Sequence, residues 1–273
     1  MITQKTDKEI ELMRYAGKVA YEVLMNLKSF IKVGISTNDI DKYVKDYIKS
    51  KECYPTCLNF EGFPKSICAS INDEVVHGIP SLRKLKNGDI ITVDIGVTYK
   101  GMIVDTAYTY LVGNVEEEIQ KFVENTQKAL YEGIKNVKSG IKLNVVCKNI
   151  ERVALKNNYG VFKEVTGHGV GYDFHEDPFI PNYDNYESET IELAEGNTLA
   201  IEPMFSLGSE KVWILQNGWT ISTQDGSPAA HFEHTILVTK DGYEILTGEW
   251  KSGKKRLYWT WREGIRSLTW RKL

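Results

Sequence analysis

From Asp7 to Phe30 apolar residues recur at Ile10, Met13, Ala16 or Gly17, Ala20, Val23 or Leu24 and Leu27, with charges between them. This three-and-four spacing predicts an amphipathic helix. A second helix is predicted from Thr37 to Lys51, with Ser36, Thr37 or Asn38 as its cap and Ile40, Val44, Tyr47 and Ile48 on its buried face. The pattern then changes. Asp89–Tyr99 is β-branched and aromatic, Lys100-Gly101 is a turn signal, and Met102–Val112 is a second strand-like run. The same order recurs: helical patterns at Glu116–Val137 and Leu143–Asn158, then strand-like runs at Thr198–Met204, Trp219–Thr223 and Phe232–Thr239.

That recurrence extends to residue identity. At an offset of 106, Lys32, Gly34, Ile35 and Asn38 match Lys138, Gly140, Ile141 and Asn144; at an offset of 108, GDIITVD (88–94) matches GNTLAIE (196–202). The second match ends on a carboxylate in both copies, Asp94 and Glu202. Two αα-ββ halves related by a pseudo-twofold axis are therefore expected, fused into one α+β domain over 1–249, because no Pro/Gly/Ser-rich linker separates them.

Candidate chemistry follows from the hairpin. If Lys100-Gly101 is a two-residue turn, Tyr99 faces Met102, Asp94 faces Ala107, and Asp105 lies two residues from that partner on the same face. The two acids are then diagonal neighbours roughly 5–8 Å apart at Cβ. Bare carboxylates so placed repel, and one takes up a proton unless a cation intervenes. The second half adds Glu202, Glu233 in HFEHTILV and His168 in TGHGVGY. Four carboxylates carry about −4, which two divalent cations balance. Oxygen ligands with a single nitrogen suit Mn, Fe(II) or Co, with Zn also accommodated. Spacing alone leaves a second reading open, in which these are solvated strand acids and a structural histidine. The glycines around His168 lack GxGxxG spacing, and neither a Walker motif nor a serine elbow is present.

Composition narrows the setting. The 273 residues are 42% hydrophobic and 26% charged, enough for a substantial core. Cys53, Cys57, Cys68 and Cys147 form no CxxC pair and read as reduced thiols. The N-terminus is charged where a signal peptide needs an apolar run, so a cytoplasmic protein without a membrane partner is expected. The net charge of −3 hides an asymmetry: residues 251–273 hold eight Lys or Arg, one acid and three of the six tryptophans. This basic tail over 250–273 reads as a segment for RNA, a ribosome surface or an anionic membrane, as a packing element or as appended sequence.

The segments ICASINDEVVHGIP (67–80), TVDIGVTYKGMIVDTAYTY (92–110), VTGHGVGYDFHEDPFIPNY (165–183), LAIEPM (199–204) and HFEHTILVT (231–239) resemble those of type I methionine aminopeptidases, in the same order and with similar spacing. The resemblance spans about residues 3–248. It implies the pita-bread fold, in which helices pack on a curved, mainly antiparallel sheet with pseudo-twofold symmetry. It also implies a dinuclear metal centre: Asp94 on one ion, His168 and Glu202 on the other, Asp105 and Glu233 bridging. Glu202 matches the proton shuttle, and His77 and His175 match histidines that contact the substrate backbone. Cys57, Phe60, Phe63, Cys68, Phe174 and Trp219 match the walls of a methionine pocket. Two departures stand out: phenylalanines at 60 and 63 where tyrosines are frequent, and His231 where a glutamine is expected. The intervals from His168 to Glu202 and from Glu202 to Glu233 leave no room for an inserted helical subdomain, which favours type I over type II. The implied activity is removal of the initiator methionine from nascent polypeptides with a small second residue, by a monomer making transient ribosome contact and binding no specific nucleic acid. The rivals are a proline-specific peptidase of the same fold and a noncatalytic pita-bread protein.

Overall fold

A computed structural model describes residues 2–249. Five helices are present among them: α1 (Asp7–Phe30), α2 (Thr37–Ser50), α3 (Glu117–Ile134), α4 (Asn144–Asn157) and the single-turn α5 (Tyr186–Thr190). The strands of the first half are β1 (Tyr54–Pro55), β2 (Cys68–Ile71), β3 (Glu74–Val76), β4 (Ile90–Tyr99) and β5 (Met102–Leu111). The second half contributes β6 (Gly160–Val161), β7 (Gly167–Gly169), β8 (Glu176–Ile180), β9 (Thr198–Ile201) and β10 (Met204–Ser206). It ends with β11 (Val212–Ile214), β12 (Ile221–Thr223), β13 (Ala229–His231), β14 (His234–Val238) and β15 (Tyr243–Ile245).

The two long amphipathic patterns start where side chains cap them. Thr6 with Glu9, and Ser36 with Asp39, form capping boxes that satisfy the first free amides of α1 and α2. The buried stripe of α1, from Ile10 through Leu27, packs with Ile40, Val44 and Ile48 of α2 onto β4 and β5. In the second half α3 and α4 cover a separate core with Leu199, Ile201 and Ile236 of β9 and β14. Each half is thus a helix pair on an antiparallel sheet, as the internal repeat predicts. One sheet has β4 paired with β5 on one side and with β1 and β2 on the other; the second runs β15-β14-β9-β7-β8. Lys100 and Gly101 both adopt positive φ, and the register places Asp94 opposite Ala107 and Asp105 opposite Gly96. The hairpin geometry expected from the sequence is the one observed.

Two predicted strands are broken. Thr198–Met204 divides at Glu202-Pro203, where proline lacks an amide for the ladder, and Phe232–Thr239 yields β14 only from His234, with β13 ending at His231. The run at Trp219–Thr223 is a strand only from Ile221. The short β1, β2, β3, β6, β7, β8 and β11 carry too few residues to show a period. All four cysteines are free and buried, and no described helix is long and apolar enough to cross a membrane. The basic segment predicted at 250–273 lies outside the described residues.

Threonines join the halves. The Thr235 hydroxyl donates to the Asp105 carbonyl and accepts from the Asp105 amide, both at 2.8 Å. Thr106 Oγ1 donates to the Glu233 carbonyl at 2.7 Å, Thr109 Oγ1 donates to the His231 carbonyl at 2.7 Å, and the Glu233 amide donates to the Ala107 carbonyl at 3.0 Å. Thr235→Val keeps the shape but strands two buried backbone groups. Urea unfolding is expected to show a loss of about 2–6 kcal/mol, since each unsatisfied group costs about 1–3 kcal/mol; a loss below about 0.5 kcal/mol, the scale of an ordinary surface change, contradicts the seam's role.

Candidate active site

The two chain breaks are where the acids sit. Glu202 follows β9 and Glu233 lies between β13 and β14, while Asp94 and Asp105 come from the middle of the β4–β5 hairpin. His168 occupies the centre of β7, paired with Ala200 of β9. Its neighbour Gly169 has no room for a side chain: an added Cβ would stand 2.1 Å from the Asp177 carbonyl oxygen. The glycine run around His168 therefore serves close strand packing, in keeping with the missing phosphate-loop spacing.

All five residues converge. Donor atoms of Asp94, Asp105 and Glu233 lie within 4.8 Å of one another, as do those of His168, Glu202 and Glu233, and those of Asp105, His168 and His175. His168 Nδ1 is 2.9 Å from the Gly169 carbonyl oxygen, to which it donates; that tautomer leaves the Nε2 lone pair facing Glu202 Oε1 at 3.3 Å and Asp105 Oδ2 at 3.7 Å. A lone pair against an ionised carboxylate is repulsive unless a proton or a cation stands between them. Asp94 Oδ1 and Glu233 Oε1 are buried without a hydrogen-bond partner, a second sign of the same deficit. The donor set fits divalent metal ions.

The electrostatics agree. Burial raises the Asp94 carboxyl to about 6, opposed by His231 and reinforced by Glu202. Burial likewise lifts Asp105, Glu202 and Glu233 well above the ordinary carboxylate range, with neighbouring acids adding to the shift at Asp105 and Glu233. The imidazoles move the other way: burial lowers His168 to about 3 and His231 to about 4, so both are neutral at pH 7.

His231 stands on the far side of Glu202 from His168, its Nε2 3.4 Å from Glu202 Oε2 and 3.9 Å from Glu233 Oε2. Glu202 is thus bracketed by two imidazoles, one on each carboxylate oxygen. The His77 backbone is left-handed, with φ 58°, and its carbonyl accepts from Thr220 Oγ1 at 3.2 Å. Burial, then the imidazoles of His175 and His231, lowers His77 to about 4. The His175 ring is 4.4 Å from that of His168 and stacks on Phe174.

Beside the acids, Cys57, Phe63, Cys68 and Phe174 form a buried cluster with Phe60 and Trp219 packed against it, joined by Ile79 and Ile103. Cys68 is the register partner of Asp94, which puts this apolar cluster directly against the acidic site. Among the residues singled out from the sequence, the four acids, His168 and His175 converge, and the six apolar residues form one cluster beside them, while His77 stands within electrostatic reach of His175 and His231. The seam threonines, Ile79 and Ile103 were missed, since a threonine or isoleucine in a strand or loop carries no distinguishing pattern.

A catalytic-type arrangement of acids and imidazole at the junction of two αβ halves points to a metal-dependent hydrolase class. Residues 11–240 match metallopeptidase family M24, and the chain belongs to that family. Membership implies divalent metal binding. Methionine aminopeptidase 1 of Bacillus subtilis is 43% identical over 247 residues, covering 90% of this chain and 99% of that protein. Methionine aminopeptidase of Escherichia coli K12 is 40% identical, covering 90% and 94%. The crystal structure of methionine aminopeptidase from Thermotoga maritima superposes with a TM-score of 0.89 at 42% identity, over 91% of this chain and all of that one. Prolidase from Pyrococcus furiosus, at 23% identity, a TM-score of 0.72 and 66% of its own length, shares the fold alone.

Because the acids hold protons when no cation is present, metal binding is expected to release them. Calorimetric titration of metal-stripped protein with Mn(II) at pH 6, in buffers of differing ionisation enthalpy, will report net proton release, and affinity will weaken as pH falls from 7 to 5. Affinity flat across that interval overturns the coupled-acid description.

Proposed function

We propose that this chain removes N-terminal methionine from peptides whose second residue is small, with Asp94, Asp105, His168, Glu202 and Glu233 holding two divalent ions drawn from Mn, Fe(II), Co or Zn. The observation that carries the reading is the His168 Nε2 lone pair facing two carboxylates directly beside a sulfur-and-aromatic pocket. When bound, the ions supply Lewis-acid polarisation of the scissile carbonyl and a water of lowered pKa. Relatives named methionine aminopeptidase, at about 40% identity over nine-tenths of the chain, support the same activity.

Each remaining task falls to a side chain. Cys57, Phe60, Phe63, Cys68, Phe174 and Trp219 receive the methionine side chain, whose flexible, polarisable thioether suits soft and aromatic walls. Phe63 and Trp219 meet edge to face at 5.2 Å, as do Phe60 and Phe174 at 5.0 Å, so the walls brace one another. Glu202 accepts a proton from the attacking water and passes it to the leaving amine. Neutral His77 and His175 donate to the peptide backbone and to the oxyanion developing at the carbonyl. His231 stands beside Glu202 Oε2, and His168 beside Oε1. Nascent chains are the substrates in this reading, and docking of the basic tail beyond residue 249 on the ribosome is part of the proposal.

Methionine release from Met-Ala-Ser, Met-Lys-Ser and Ala-Pro-Ser tests it, using metal-stripped protein with and without added Co, Mn or Fe(II). Release only from Met-Ala-Ser and only with metal is expected, and Glu202→Ala should lower the rate by at least about 10²-fold, the usual loss on removing a general acid–base. Cleavage of Ala-Pro-Ser instead establishes a proline-specific peptidase, and silence on all three peptides despite metal binding refutes the peptidase reading.

A further inference from the structure

The segment before α1 reaches the site from the far end of the chain. Lys5 Nζ is 2.8 Å from Glu176 Oε2, and the two side chains are 0% and 6% exposed. The Thr3 hydroxyl also donates to Glu176 Oε2, and Lys5 donates to Thr3. The other oxygen, Oε1, accepts the amides of Tyr172 and Asp173, the latter at 3.1 Å. One carboxylate therefore closes the turn over 171–176 with one oxygen and ties it to the N-terminal strap with the other. Lys5 Nζ lies 4.6 Å from the Tyr172 ring centroid, and a Cβ at Gly171 would fall 2.2 Å from Lys5 Cε, so the lysine stem fills the space a side chain there would need.

The strap and the turn each have a second anchor. The Lys5 amide donates to the Gly196 carbonyl, and Asn197 Nδ2 donates to the Thr3 carbonyl, both at 2.8 Å, beside the start of β9. On the turn, the Gly171 carbonyl accepts from the Ile103 amide of β5 at 2.8 Å. Between these anchors sit Phe174, a pocket wall, and His175, whose ring meets that of His168. Both are carried by this turn.

Resting on the functional reading above, we propose that the buried Lys5–Glu176 pair is a positioning device for the reaction: it sets the turn so that Phe174 closes the methionine pocket and His175 faces the scissile peptide. A charged pair this enclosed is costly to bury and very costly to break, because removing one partner leaves an uncompensated charge. Lys5 and Glu176 act through Phe174 and His175 and touch no substrate.

The test compares Co-loaded wild type with Lys5→Met, Lys5→Met/Glu176→Gln and the milder Thr3→Val, by peptide kinetics on Met-Ala-Ser, metal titration, thermal unfolding and amide hydrogen exchange. Lys5→Met is expected to lower kcat/KM at least tenfold, with KM raised and kcat lowered, while metal affinity stays within twofold and exchange at Tyr172 and Asp173 rises at least tenfold. The double variant should recover part of the loss, since no lone charge remains, and Thr3→Val should lower kcat/KM about threefold. A lower melting temperature with unchanged kinetics and unchanged exchange at Tyr172 and Asp173 makes the pair a terminal anchor and overturns the proposal. If Lys5→Met does not fold, Thr3→Val decides by the same kinetic and exchange criteria. A wild type without activity refutes the functional reading, while exchange at the turn still reports whether the strap holds it.

Discussion

Four carboxylates enclosed at one seam repel each other, and no lysine or arginine among the described residues forms an ion pair with them. A protein tolerates such a cluster only if protons or metal ions neutralise it and if the surrounding backbone prevents the acids from swinging apart. Both conditions are visible. Burial raises the pKa of all four acids, and the imidazole aimed at them is held in the tautomer that offers a lone pair. Most of the architecture can be understood as the means of keeping that arrangement in register.

The means are backbone bonds more than side-chain packing. Asp105 is held by its own amide and carbonyl to Thr235, Glu233 by its carbonyl to Thr106 and its amide to Ala107, and the Glu202 carbonyl accepts from Asn182 Nδ2. Each acid thus projects from a fixed point, and the fixed points belong to different halves of the molecule. The helix pairs α1–α2 and α3–α4 stiffen the two sheets from outside. Burial of the acids also lowers the dielectric around them, which strengthens their coupling to each other and to any cation they hold.

Fold and specificity separate cleanly here. The superposition on a prolidase shows that the same framework carries other peptidases, so the framework does not decide which side chain is bound. In the proposed function that choice falls to the apolar wall beside Asp94, made of two thiols, three phenylalanines and a tryptophan.

Much of this was legible in the residues themselves. The period of α1, the capping boxes, the hairpin that puts Asp94 and Asp105 on one face and the duplication that pairs Asp94 with Glu202 are local or repeated patterns, and backbone geometry follows from them directly. Motif resemblance added His77, His175 and the pocket walls. Tertiary structure alone decided the rest: that Glu202 and Glu233 occupy breaks between strands, that His231 brackets Glu202 opposite His168, that threonines sew the halves together, and that Lys5 meets Glu176 across 171 residues. Those contacts join positions remote in the chain, and their residue types are common in strands and loops everywhere. No local period marks them, because which remote groups meet is set only when the two sheets close on each other.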